Sequence, residues 1–172
     1  MRMPVVVIVL LLLTAASSAA QGVISPPPAP SVVNLSGPRI GVTTLSDGVV
    51  SAVREIYPDV RPVITQFGWQ FEKQFYSASS GAAVLNEWVF LLGGLDQSVV
   101  LPSLSWMVGA RTASGTEFGV GPNLSAGGWS LAFAAGTTLR TGFLNVPVNI
   151  AVVPSRHGMR VSFLTGFSKR KP

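Results

Sequence analysis

The residues able to do chemistry are few. His157 is the single histidine in 172 residues, and it lies beside Ser155 in Pro154-Ser-Arg-His-Gly158. A serine nucleophile needs a neighbouring base that is itself oriented by an acid, so His157 is the whole of what a hydrolase could draw on. No Gly-x-Ser-x-Gly elbow accompanies it, and an exposed turn histidine is the plainer reading. One histidine and no cysteine exclude disulfides, thiolate metal centres and multi-histidine metal sites. The Gly-rich pieces Gly119-Val-Gly-Pro-Asn123 and Ala126-Gly-Gly128 lack the lysine and the strand–loop–helix context of a phosphate loop. The expectation is therefore no catalytic set, no metal site and no cofactor.

What remains is charge, placed in a pattern. Asp47, Glu55, Asp59 and Asp96 fall in an insert or in turns. Glu72, Glu87 and Glu117 fall inside alternating segments, on the same parity as Arg39, Arg111, Arg140 and Arg160. A lone buried charge is costly, so these seven are expected to pair with one another.

The elements that position them alternate with a period of two, which places successive side chains on opposite faces of a strand. Thr65-Gln-Phe-Gly-Trp-Gln-Phe-Glu-Lys-Gln-Phe75 shows it most clearly. Eight such segments are read, separated by turn signals: 39–45, 62–77, 82–92, 98–112, 116–124, 128–140, 143–153 and 159–168. Most have the 9–11 residues, or slightly more, that a tilted strand needs to cross a bilayer. Pro102, Pro122 and Pro147 fall inside them, where a ladder donor is lost. Between the first two, Ser46–Pro58 reads as a short amphipathic helix: Ser46 is a candidate N-cap, Val49, Val50, Val53 and Ile56 form a stripe, and Pro58 stops it.

Splitting each strand by parity separates two chemistries. One face carries Phe67, Trp69, Phe71, Phe75, Trp88, Phe90, Trp106, Phe118, Trp129, Phe133, Val148 and Phe163. The other is mostly Gly, Ala, Ser, Asn and Gln, with the seven charges. A soluble barrel shows water a face rich in Lys, Glu and Arg. Small polar residues instead suit the cramped inside of a narrow barrel. The bulky set is therefore expected to face lipid. Lys73 is the exception on that face, near a strand end from which its stem can snorkel. Leu85, Val89 and Leu91 fall on the inner parity and are expected against the helix or the lumen floor.

Composition agrees. Asp, Glu, Lys and Arg make up 11% of the chain, against roughly 25% in ordinary soluble domains, and mean hydropathy is +0.48. Arg2, an apolar run over 5–13 and small residues to Ala20 read as a secretory signal peptide, residues 1–20, since nine apolar residues cannot span a bilayer. Residues 21–37 read as a Pro-rich periplasmic linker, 38–168 as the barrel and 169–172 as a basic tail. A formal charge of +5, scattered along the chain, does not indicate nucleic acid binding.

With its leader, eight strands, face parity and final strand Met159-Arg-Val-Ser-Phe-Leu-Thr-Gly-Phe167, the chain resembles the small eight-stranded bacterial outer-membrane β-barrels. The resemblance covers residues 38–168. It departs in Ser168–Pro172, which runs past the terminal aromatic Phe167, and in having only one long loop, Ser46–Arg61. It implies an all-β, up-and-down antiparallel transmembrane barrel with one short helix between strands 1 and 2, an outer-membrane location and periplasmic termini. It also implies outer-membrane lipid and the barrel-assembly machinery as partners, with an extracellular or periplasmic protein partner left unidentified. The class has no shared activity. A non-enzymatic structural, adhesive or docking role is the expectation. The alternatives are a soluble lipocalin-like barrel with a hydrophobic ligand, a small pore, and a membrane-embedded lipid hydrolase using His157.

Overall fold

The computed structural model describes residues 34–169. The expected signal peptide, most of the linker and the end of the basic tail lie outside them. The chain forms an all-β closed barrel of eight antiparallel strands: β1 Gly37–Leu45, β2 Val63–Ser77, β3 Ala83–Gly93, β4 Leu101–Arg111, β5 Thr116–Ser125, β6 Gly128–Thr141, β7 Leu144–Ser155 and β8 Gly158–Gly166. Each strand pairs with its sequence neighbours, and β1 closes on β8 through Arg39↔Gly166 to Leu45↔Arg160. Ser168–Lys169 pairs with Leu144–Asn145 in the register that β8 holds with β7, so it continues β8.

The register fixes the shape. A row of partners from Lys73 passes through Asn86, Val108, Val120, Phe133, Val152, Val161 and Thr44, and returns to β2 at Val63, ten residues before its start. Eight strands with a shear of ten tilt by about 40° and leave an interior that side chains fill.

The prolines sit where the ladder breaks. Pairing between β4 and β5 skips the rows at Pro122 and Gly121. Pro102 precedes the first β4–β5 pair, Ser103↔Ser125. The interruption in β8 at Gly166–Phe167 lies opposite Val146–Pro147. A residue without an N–H is accommodated by giving up the bond it cannot make.

Helix α1, Asp47–Arg54, spans the β1–β2 connection. It buries Val49 and Val50 against Leu45, Val60, Ile64 and Val99, with Val53, Tyr57 and Leu101 packed alongside. Two expectations are corrected here. Ser46 occupies the N-cap position, but its hydroxyl accepts from the Met159 N–H of β8 at 2.9 Å instead of from the helix. Ile56 is 72% exposed because the helix ends before it. Glycine permits this docking: a Cβ on Gly48 would strike the His157 carbonyl, and one on Gly158 would strike the Ser46 hydroxyl. Gly158 also has φ +130°, a conformation open to glycine.

Candidate functional site: a closed, charged lumen

The two ends of the described segment, at Asn34 and Lys169, and the β2–β3, β4–β5 and β6–β7 turns share one end of the barrel, here called the terminal end; α1 and the other turns share the opposite end. Near the terminal end the lumen is sealed by charge. Arg111 donates from Nε to Glu117 Oε1 at 2.8 Å and from Nη1 to Glu72 Oε1 at 3.0 Å, while Nη2 bonds Glu72 Oε2. The Thr138 hydroxyl donates to Glu117 at 2.9 Å. One guanidinium on β4 thus holds two carboxylates, Glu117 of the adjacent β5 and Glu72 of β2 across the lumen, the latter in the bidentate geometry that suits arginine.

A second chain of bonds lies above it. Arg39, 2% exposed, donates to Gln70 Oε1 at 3.0 Å, and Gln70 donates in turn to Glu87 Oε1 at 2.9 Å. Arg39 also donates to the Leu35 carbonyl at 2.7 Å, and the Leu35 N–H reaches Glu72 at 3.3 Å. Leu35 is fully buried. The segment Asn34–Ser36, expected as linker, is therefore part of the barrel and stops its terminal mouth. Neither Leu35 nor its carbonyl had a signal in the sequence, because a Pro-rich approach carries no strand alternation. Gln70 and Thr138 did lie on the small-polar parity.

Five of the seven charges read as a network, Arg39, Glu72, Glu87, Arg111 and Glu117, are buried in this half of the lumen. Two expectations are corrected. Arg140 is exposed, because β6 overhangs the barrel mouth beyond Thr138; parity there no longer means enclosure. Arg160 is half-buried but lies in the opposite half, where it donates to Asn123 Oδ1 at 2.6 Å and has no carboxylate partner among the described residues. The inner residues Val89 and Leu91 pack on Leu164 in mid-lumen, away from the helix.

Two small cavities, each about 60 Å³, remain between the charged floor and α1. The lower has Glu87, Gln66, Asn149, Met107 and Leu164 among its walls; the upper lies under Val49 and Val53. Each has room for a few waters and is far below the roughly 300–1,000 Å³ of a pocket for a drug-sized ligand. Buried, unbonded Gln66 Oε1 and Asn149 Oδ1 give such waters partners.

Outside, the parity reverses. Phe67, Trp69, Phe71, Phe75, Trp88, Phe90, Trp106, Phe118, Trp129, Phe133 and Phe163 are each at least 44% exposed. Val148 is half-buried between its neighbours. Trp88 and Trp106 stack at 6.1 Å, and Trp106 Nε1 donates to Asn86 Oδ1 at 2.5 Å, which pairs the indole N–H with the amide oxygen on this apolar wall. Asn86 was not foreseen as a partner.

His157 is exposed in the β7–β8 turn, and the Ser155 hydroxyl donates to the Gly158 carbonyl at 3.0 Å. No group of three or more His, Asp or Glu side chains arranged to hold a metal occurs among the described residues. Compared with protein-family models, with curated proteins and with solved structures, the chain matches none of them.

Proposed function

We propose that this protein is a bacterial outer-membrane β-barrel, exported through its N-terminal segment, with a non-enzymatic role: a closed transmembrane scaffold that presents α1 and the turns beside it to a partner outside. One observation carries the reading. The barrel is inside-out relative to a soluble one, with ion pairs in its interior and all four Trp 44–75% exposed on its wall. Monomeric soluble proteins rarely expose an apolar patch beyond roughly 300–600 Å², and here the apolar girdle runs around every strand. A lipid environment turns that surface from a liability into the means of insertion.

The lipocalin-like alternative needs the reverse: an apolar cavity of ligand size and a hydrated exterior. The pore alternative needs an open lumen, and the Arg111 cluster with Leu35 fills it. The test is insertion. The purified chain should enter phospholipid vesicles, resist added protease there, and run on SDS gels as a compact unboiled band that shifts on heating. A chain that stays soluble and monomeric without detergent or lipid would overturn the reading.

A further inference from the structure

Every charge among the described residues can be assigned a place. Of twelve Lys and Arg and seven Asp and Glu, three of each sign line the lumen: Arg39, Arg111 and Arg160 with Glu72, Glu87 and Glu117. The helix-bearing end carries Asp47, Glu55, Asp59 and Asp96 against Arg54, Arg61 and Arg156, all exposed. The terminal end carries Lys73, Arg140 and Lys169, exposed, and no exposed carboxylate. Arg2, Arg170 and Lys171 lie outside the described residues, and two of them directly follow Lys169 in the sequence. The net positive charge of the described barrel thus sits on one rim, while the lumen is balanced and the other rim nearly so.

That rim also interrupts the smooth wall. Where β8 breaks at Gly166–Phe167, a groove of about 300 Å³ opens on the outer wall among Trp69, Phe143, Leu144 and Phe167, with Lys169 at its edge. Arg140 pairs with Asn145, and Lys169 pairs with Leu144, so the two cations flank the same end of β7 from either side. Lys169 lines this apolar trough, and Arg140, which extends beyond the mouth on the other side of β7, adds a second cation to the same rim; an apolar trough with a cation at its edge matches an acyl chain continuous with a phosphate.

We propose that the terminal rim is a binding surface for anionic phospholipid, with the Trp69–Phe143–Phe167 groove as the seat of one lipid, Lys169 as its phosphate contact, and Lys73 and Arg140 as further cations of the same rim. This rests on the membrane reading above. Each cation near an anionic surface is worth roughly fivefold in binding, so Lys73, Arg140 and Lys169 together supply on the order of hundredfold.

The experiment is a competition for the full chain between vesicles of phosphatidylcholine and vesicles of equal parts phosphatidylcholine and phosphatidylglycerol. The wild type should favour the anionic vesicles, and high salt should erase the preference. K73Q/R140Q/K169Q should lose on the order of hundredfold of it while still inserting and shifting on heating. R54Q/R61Q/R156Q, at the other end, should keep it. F143S should lose the phosphatidylglycerol retained in native mass spectrometry and keep the vesicle preference. Equal partition of the wild type, or an equal loss in the helix-end variant, overturns the rim proposal and leaves the membrane reading standing. Preferential binding of a soluble anionic glycan by barrels in neutral bilayers also overturns it. Failure to enter either vesicle sinks both readings.

Discussion

Arg111 holds two carboxylates inside the barrel, so its loss would leave Glu72 and Glu117 charged, enclosed and without their main partner. Breaking a buried pair in this way costs about 3–5 kcal/mol. Arg111→Met should lower the urea midpoint of the vesicle-inserted barrel accordingly, and Arg111→Met with Glu72→Gln and Glu117→Gln should recover most of the loss. Equal instability of the two variants would mean that Arg111 acts by packing alone. At the helix-bearing end the effect depends on pH. The Thr65 hydroxyl donates to Asp96 Oδ1 at 2.7 Å, and the Thr65 N–H at 3.1 Å, holding the Asp96 carboxyl below its usual range. A carboxyl lowered in the folded state stabilises fully above its unfolded value of about 3.9 and loses that contribution as pH falls through the folded one. The protection of the Thr65 amide, taken relative to its intrinsic exchange rate at each pH, should therefore stay high at neutral pH and fall below about pH 4. Asp96→Asn should show the lowered protection at every pH; a wild-type profile in that variant would refute the tie. Sequence told the side of each charge well and its depth poorly. Parity placed Arg39, Glu72, Glu87, Arg111 and Glu117 correctly inside, because alternation is set by backbone geometry. It could not see that Arg140 lies beyond the mouth, or that Arg160 sits a different height from every carboxylate, since height follows from shear and shear is a property of the closed ring.

The eight strands and the helix were legible for the same reason: a period of two that changes to a helical stripe between two turn signals. The N-cap reading of Ser46 placed the helix start correctly and missed the partner, because the Met159 N–H comes from the other end of the chain. Prolines within strands looked like objections to the assignment. They turn out to mark its interruptions, and Pro147 explains why β8 pauses before Ser168. How α1 is held is a matter of two absent Cβ atoms. Gly48→Val should drive the helix off the His157 carbonyl. Amide exchange across 47–54 should then rise at least tenfold, while the heat-shifted gel band remains, because α1 lies outside the ladder that closes the barrel. Loss of the compact band instead would make the helix part of the barrel's own stability.

At the scale of the whole molecule, register and composition meet in one length. A strand of eleven residues such as β4, tilted by about 40°, rises roughly 25–30 Å, and the apolar band of an outer-membrane barrel is about 25 Å tall. The row through Val120, Phe133 and Val152 crosses the middle of that wall. Phe133 is 47% exposed there and Ala132 beside it is 2% exposed, so adjacent residues of β6 face the exterior and the enclosed interior in turn. This makes the faces separable by one charge. An arginine at mid-depth on the lipid side costs about 2–4 kcal/mol, whereas one on the inner side near the helix-bearing end has water and turns within reach. Phe133→Arg should therefore reduce the vesicle-inserted, heat-shifted fraction by tenfold or more, and Ser130→Arg should leave most of it. Leu131→Arg, on the outer parity but nearer the rim, should fall between them, because the cost declines toward the interface. A soluble barrel would reverse the order: Phe133→Arg would be tolerated on a hydrated surface, and Ser130→Arg would crowd the core.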